Sequence, residues 1–208
     1  MTKLTEVIID QIDADIFSHA ALMSCVTGSA GRRYSLLKRA MACGEIVQIR
    51  RGLYCLAEKY RRRPFDLFEA AQRIYGPSYI SFESALSFHG WIPESVTSVT
   101  SASLGKAKEF KSSLKTFSFA SVPSKIFFDG VDRLDNGVMM ARPFKALLDY
   151  IYIYKKNWIG WGPVVEGMRV DRDLLGKISR AEIHRNRQNY PQKRIQDFLR
   201  SLEAGDEH

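Results

Sequence analysis

Residues 27–56, TGSAGRRYSLLKRAMACGEIVQIRRGLYCL, decide the fold predicted for the first part of the chain. Ser29 is suited to cap a helix, because its hydroxyl can accept a hydrogen bond from a free amide of the first turn. The helix is predicted over residues 30–43 and ends at Gly44, since glycine favours a helix C-terminus. A shorter helix is predicted before it, over much of residues 16–26.

A hairpin is predicted directly after the longer helix. Residues 45–49 and 53–56 are short runs rich in Ile, Val, Leu and Tyr, which favour strands. Arg50-Arg51-Gly52 joins the two runs, and Gly52 can take the positive φ of a tight connection. Helix, turn, helix and hairpin in this order outline a winged helix-turn-helix.

The longer predicted helix has two different faces. At the helical period, six apolar residues share one arc, which is expected to face a core: Tyr34, Leu36, Leu37, Ala40, Met41 and Cys43. Arg32, Ser35, Lys38 and Arg39 share the opposite arc. Arg33 falls inside the apolar arc, so its guanidinium is expected to reach solvent or to meet a partner.

Positive charge is concentrated around these elements. The chain has 208 residues, of which 31 are basic and 23 acidic, for a formal net charge of +8. Residues 28–63 contain ten Lys or Arg and two Glu, so this window holds the whole excess. Such a window favours a polyanionic partner, because phosphates release counterions when basic side chains bind them.

The pattern therefore indicates binding of double-stranded DNA. A helix can enter the major groove, where Arg suits guanine and Ser can pair with several bases, while basic side chains at a hairpin tip suit the backbone or the minor groove. The predicted DNA-binding residues are Arg32, Arg33, Ser35, Lys38, Arg39, Arg50 and Arg51. Secondary contacts are predicted for Arg61, Arg62 and Arg63. RNA binding and a merely solvated basic face are the alternatives.

The sequence predicts an α+β protein of two domains. The N-terminal winged helix-turn-helix domain spans residues 1–60, a basic linker spans residues 61–66, and a larger mixed α/β domain with C-terminal helices spans residues 67–208. In the larger domain, helices are predicted over residues 65–75, 81–89, 143–155, 172–178 and 191–202. Strands are predicted over residues 96–102, 116–122, 126–128 and 138–141.

Three blocks of the sequence are similar to one known family. They are residues 36–54, which include LLKRA and GEIVQIRRGLY, residues 79–93, YISFESALSFHGWIP, and residues 141–149, ARPFKALLD. Together they resemble AbiEi-family antitoxins of bacterial type IV toxin–antitoxin systems, over about residues 15–155. In the third block the family commonly has Pro-Glu-Lys-Ala, and Phe144 stands here in place of the acid.

The resemblance implies a two-domain repressor and antitoxin. Its N-terminal domain would bind inverted repeats in its own promoter, through the winged-domain positions Arg32, Ser35, Lys38, Arg39, Arg50 and Arg51. Its C-terminal domain would counteract a nucleotidyltransferase-type toxin, without a stable complex between the two proteins. A regulator of the same fold without a toxin is the alternative.

No catalytic, metal or cofactor site is predicted, so the chain is not expected to be an enzyme. Gly28-Ser29 resembles the start of a nucleotidyltransferase site, but no acid follows at the required distance to hold magnesium. Glu83 and His89 are six residues apart and would not share a helix face, so Ser81 is expected to cap a helix instead. Asp129, Asp132 and Asp135 suit a solvated turn better than a metal loop.

The remaining predictions concern location and secondary features. The chain has no apolar stretch of membrane-spanning length and no signal-peptide pattern, so a cytoplasmic protein without membrane contact is expected. The three cysteines are expected to be free thiols packed in the core. A second, weaker basic cluster, expected to be a solvated helix face, comprises His184, Arg185, Arg187, Lys193 and Arg194.

Overall fold

A computed structural model of the chain describes residues 1–94 and 96–205. They form a mixed α+β structure with ten α-helices and two sheets. The chain divides into two compact units: unit 1 comprises residues 1–70 and 110–116, and unit 2 comprises residues 71–109 and 117–208. No helix among the described residues is both long and apolar enough to cross a lipid bilayer.

Unit 1 contains three helices and a three-stranded sheet before residue 57. The elements are α1 (Lys3–Gln11), β1 (Ile16–Ser18), α2 (His19–Cys25), α3 (Ala30–Ala42), β2 (Ile46–Arg50) and β3 (Leu53–Leu56). The sheet has the order β1-β3-β2, and both pairings are antiparallel. The helices pack apolar side chains such as Leu4, Ile8, Leu22 and Leu37 into one core. A 3-10 helix (Glu58–Tyr60) follows β3.

Hydrogen bonds to Glu45 link the beginning of α1 to the beginning of β2. Its buried carboxylate accepts hydrogen bonds from the Thr5 hydroxyl at 2.7 Å and from the backbone amide and hydroxyl of Thr2 at 2.8 and 2.7 Å. These bonds, the Thr5 hydroxyl first, lower the pKa of Glu45 to about 2. The only acid between Gly28 and Ala57 therefore stabilises the fold of unit 1.

The later elements form a six-stranded sheet flanked by helices. The helices are α4 (Leu67–Ile74), α5 (Phe82–Phe88), α6 (Pro143–Ile153), α7 (Gly162–Met168), α8 (Arg172–Leu175), α9 (Arg180–Asn189) and α10 (Lys193–Glu203). The strands are β4 (Ser78–Ile80), β5 (Ser98–Ser103), β6 (Lys108–Lys111), β7 (Thr116–Ser121), β8 (Val131–Arg133) and β9 (Met139–Ala141). The sheet order is β6-β7-β5-β4-β9-β8, with β4 and β9 parallel.

Several elements differ from the sequence predictions. Residues 16–18 begin the predicted first helix but form β1, because they pair with β3. No element was predicted for residues 3–11, which form α1. The predicted strand at residues 126–128 is wrong, since a 3-10 helix (Ser124–Ile126) ends there instead. Strands β4, β6 and β8 and helices α7 and α9 were not predicted.

The cysteines are free, as predicted, but only one of them is packed in the core. Cys55 is buried in β3, and burial raises the pKa of its thiol. Cys25 is partly exposed. Cys43 is exposed because it follows the last turn of α3, where the helix ends at Gly44 with a φ of +64°.

Candidate nucleic-acid interface

Helix α3 begins where the sequence predicts. The Ser29 hydroxyl accepts a hydrogen bond from the backbone amide of Arg32 at 3.3 Å, and Gly28 takes a φ of +118° in the preceding turn. Leu37 and Ala40 are buried and attach the helix to the core of unit 1. One face of α3 is thereby fixed, and the opposite face is presented to solvent.

The exposed face of α3 is basic. Arg32, Lys38 and Arg39 are all exposed, and so is Ser35. The Ser35 hydroxyl donates a hydrogen bond to the carbonyl of Gly31 at 3.0 Å, which leaves its oxygen able to accept another. The structure therefore brings together on one helix face four of the residues predicted to bind DNA.

Arg33 differs from its neighbours. It is half-buried, and its Nη1 donates a hydrogen bond to the carbonyl of Met23 in α2 at 3.2 Å. This contact follows from the position of Arg33 in the apolar arc of α3. Because it joins α2 to α3, it gives Arg33 a role in setting the geometry between these two helices.

Tyr34 was expected in the core, and that expectation is wrong. Its side chain is 63% exposed and lies beside the exposed Lys38 at the helical period. The core of unit 1 closes over Leu37 and Ala40, which lie three and six residues further along the helix, so the first turn of α3 extends beyond it. A sequence period alone cannot show where along a helix the covering elements end.

The hairpin tip carries two further predicted residues. Arg51 is exposed, whereas Arg50 is half-buried and its Nη1 donates a hydrogen bond to the carbonyl of Arg51 at 2.8 Å. Gly52 has a φ of +79°, and the strand register shifts between Gln48 and Arg50. The bond from Arg50 shapes the tip and leaves the Arg51 side chain at the surface.

The arginines of the predicted linker make contacts inside unit 1. Arg61 Nε donates to the carbonyl of Leu56 at 2.8 Å, and its guanidinium lies 4.7 Å from the ring centroid of Phe65. The backbone amide of Arg62 donates a hydrogen bond to the Asp15 carboxylate. The Nη1 atom of the same arginine lies 3.5 Å from Asp15 Oδ1. These contacts order the segment that the sequence predicts as a linker.

Arg63 is held in the same way, by an ion pair with Glu69. The side chains of Arg62 and Arg63 nevertheless remain 39% and 55% exposed, so each presents positive charge to solvent.

The second basic cluster is partly neutralised, since Arg187 and His184 both contact the carboxylate of Glu203.

Unit 2 contains a buried polar cluster that was not predicted. Lys145 and Asp149 lie one turn apart on α6, with 2.6 Å between Lys145 Nζ and Asp149 Oδ1. The Tyr79 and Ser81 hydroxyls donate to Asp149 Oδ2 at 2.9 and 2.8 Å. Tyr190 accepts from Lys145 Nζ at 3.0 Å. The sequence predicts that the Ser81 side chain caps α5. This prediction is wrong, because the hydroxyl contacts Asp149 and makes no capping hydrogen bond.

This cluster joins two of the blocks that carry the family resemblance. Tyr79 and Ser81 belong to the block at residues 79–93, and Lys145 and Asp149 belong to the block at residues 141–149. His89 Nε2 also lies 2.9 Å from the carbonyl of Ala141. Burial, and then the charge of Asp149, raises the pKa of Tyr79, so its hydroxyl stays a donor. The arrangement is a closed structural centre with every charge paired.

The aspartates at residues 129–135 do not share a site. Asp132 forms a bidentate pair with Arg142, and hydrogen bonds from this guanidinium lower the pKa of Asp132. Asp129 accepts a hydrogen bond from Asn189, and Asp135 is exposed. Within residues 1–94 and 96–205, no three His, Cys, Asp or Glu side chains are grouped so as to hold a metal ion.

Comparisons with known proteins give a similar fold and no family. No protein-family model matches the chain, and no curated protein matches it. In structure the chain is similar to the RV2827C protein from Mycobacterium tuberculosis, with a TM-score of 0.62 over 100% of this chain and 78% of that chain. The two sequences are 15% identical, so the likeness concerns the fold alone.

Proposed function

We propose that the protein is a DNA-binding transcriptional repressor whose unit 1 acts as a winged helix-turn-helix. The observation that carries the proposal is the exposed face of α3, on which Arg32, Ser35, Lys38 and Arg39 are presented together. The order of helices and strands in unit 1 supports it, because α3 is followed directly by the two-stranded hairpin of β2 and β3.

In this proposal α3 lies in the major groove. Arg39 suits the O6 and N7 atoms of guanine, and the exposed ring of Tyr34 suits contact with a thymine methyl group. Arg32 and Lys38 on the same helix suit the flanking phosphates. Arg51 at the hairpin tip contacts the phosphate backbone, where a charged side chain positions the protein without reading sequence. Arg33 supports α3 through its bond to Met23.

A direct binding experiment tests the proposal. Fluorescence anisotropy measures the affinity of the full chain for the DNA upstream of its own gene, which is expected to contain inverted repeats, and for RNA of the same sequence. We expect tighter binding to the DNA. Arg39→Ala is expected to cost about 1–3 kcal/mol on the specific site, with relaxed preference at one base pair. Arg185→Ala, an exposed arginine on α9, is the matched control.

Equal or tighter binding to RNA would favour an RNA-binding protein, and unchanged binding by Arg39→Ala would contradict the role of α3. The Arg39→Ala variant removes one exposed side chain and no buried contact, so a change in its DNA affinity reports on binding and not on misfolding.

We also propose that the protein is the antitoxin of a type IV toxin–antitoxin system and represses its own operon. This part rests on the resemblance to AbiEi-family antitoxins alone, two of whose blocks contact each other in unit 2. The toxin would be of the nucleotidyltransferase type, counteracted without a stable complex.

Co-expression with the adjacent gene tests the antitoxin proposal. We expect the neighbouring product to arrest growth when expressed alone, and the full chain to restore growth. A neighbour without toxicity would leave the alternative, a regulator of the same fold with no toxin partner.

A further inference from the structure

Unit 2 has an open cavity of about 410 Å³ that no feature of the proposed function uses. Its wall includes Glu83 at the start of α5, Thr100 of β5 and Ser118 of β7, together with Tyr150 and Tyr154 of α6. This volume suits a ligand of amino-acid size, and hydroxyl groups, aromatic rings and carboxylates all face it.

The cavity has one paired and one incompletely paired carboxylate. Glu94 is held by the guanidinium of Arg169. Oε2 of Glu83, in contrast, is buried from solvent and accepts no hydrogen bond from any residue in the described ranges. Glu83 lines the cavity and forms no ion pair with any residue in these ranges, so a charge-assisted donor in the cavity would give its carboxylate a cationic partner.

Aromatic rings beside Glu83 suit a cation. The ring centroids of Tyr150 and Tyr154 are 4.4 Å apart, and Trp158 stacks on Tyr150 at 5.9 Å. Lys156 Nζ, which is not part of the cavity wall, lies 5.9 Å from the Tyr150 centroid. Burial, and then the hydrogen bond with Glu83, raises the pKa of Tyr154, so its hydroxyl remains neutral beside the carboxylate.

We propose that this cavity binds a guanidinium or primary ammonium group, which pairs with the carboxylate of Glu83 in the cavity wall and lies against Tyr150 and Tyr154. The group belongs either to a small diffusible amine or to the arginine or lysine side chain of another polypeptide. Such a group supplies donors only, as the site requires, and gains from the faces of the two rings. The proposal stands independently of DNA binding, because all of these residues belong to unit 2.

Titration of the full chain with defined probes tests the proposal. Agmatine represents a free guanidinium, N-acetyl-arginine methylamide represents a peptide side chain, and N-acetyl-citrulline methylamide is the neutral match. We expect saturable binding of a guanidinium probe by isothermal titration calorimetry, and binding of the citrulline compound at least about tenfold weaker. Preference for agmatine would indicate a diffusible amine, and preference for the blocked arginine would indicate a polypeptide.

Variants and a second readout locate the site. Glu83→Gln keeps the shape of the side chain and is expected to weaken the guanidinium probe at least about tenfold, whereas Glu6→Gln, an exposed acid on α1, leaves binding unchanged. Amide chemical-shift changes in the unmodified chain are expected at residues 83, 100, 118 and 150, a result that does not depend on how any variant folds. No saturable binding, equal binding of citrulline, or shift changes confined to other residues would overturn the proposal.

Discussion

Glu45 shows how one residue in a basic stretch controls the local fold. Its carboxylate is the acceptor that Thr2 and Thr5 share, so α1 is joined to β2 through a single side chain. Among the ten basic residues of the window from Gly28 to Arg63, this acid stabilises the scaffold and does not reduce the charge of the exposed α3 face. The distinction depends on burial, which a count of charges does not reveal.

The low pKa of Glu45 predicts how stability depends on pH. In the folded chain the pKa is about 2, against an ordinary value of 4.5. Folding therefore gains stability from the ionised carboxylate above about pH 4.5, and loses it as the pH falls towards 2. We expect the urea midpoint of Glu45→Gln to be lower than that of the original chain at pH 6, with a smaller drop between pH 5 and pH 2.5. An equal drop in the urea midpoint of both proteins between pH 5 and pH 2.5 would contradict this role of Glu45.

Asp149 predicts a larger effect in unit 2. It is fully buried and accepts from Lys145, Tyr79 and Ser81, so its replacement leaves the Lys145 ammonium without its counter-charge. We expect Asp149→Asn to lower the free energy of unfolding by about 3–5 kcal/mol. Urea denaturation measures the change.

A double variant is the control for Asp149. Lys145→Met combined with Asp149→Asn removes both charges and is expected to recover much of the stability, since the cost lies in the unpaired ammonium. A double variant as unstable as the single one would show that the hydroxyl contacts of Tyr79 and Ser81 dominate.

At the scale of elements, α3 and the hairpin are predicted to contribute differently to DNA binding. Arg51 lies at the hairpin tip and is exposed, and a phosphate contact there carries no sequence information. We expect Arg51→Ala to weaken binding to specific and to unrelated DNA by the same factor. Anisotropy with both DNAs measures it, and loss confined to the specific site would instead assign base reading to the hairpin.

The elements that were predicted correctly are those with local signals. The Ser29 cap, the 3.6-residue pattern of Leu37 and Ala40, and Gly52 in the hairpin all act within a few residues of the structure they determine. Strand β1 has three residues and exists because it pairs with β3, so no local pattern indicates it. Ser81 differs from prediction because its hydroxyl contacts Asp149, 68 residues away.

For the candidate interface, the sequence identified which residues were basic and which helix carried them. It did not separate Arg33, which contacts Met23, from the exposed Arg32, and it placed Tyr34 in the core. These assignments depend on how far the core of unit 1 extends along α3. The cavity beside Glu83 was not found because its residues come from separate strands and helices.

At the scale of the whole molecule, the net charge of +8 lies within residues 28–63, and the rest of the chain is neutral in sum. This segregation predicts the salt dependence of DNA binding. Each lost phosphate contact reduces the slope of log affinity against log salt by about 0.9. We expect Arg32→Gln combined with Lys38→Gln to flatten the slope by about two, as measured by anisotropy at several NaCl concentrations.

The control for this prediction removes the same charge from unit 2. Arg185→Gln combined with Arg194→Gln changes two basic residues of the second cluster, on α9 and α10, and is expected to leave the slope unaltered. Net charge falls by two in both double variants, so a general electrostatic effect would flatten both slopes alike. Flattening by the α3 variant alone would place the phosphate contacts on unit 1, whereas equal flattening would extend the DNA interface to unit 2 and contradict a division of labour between the units.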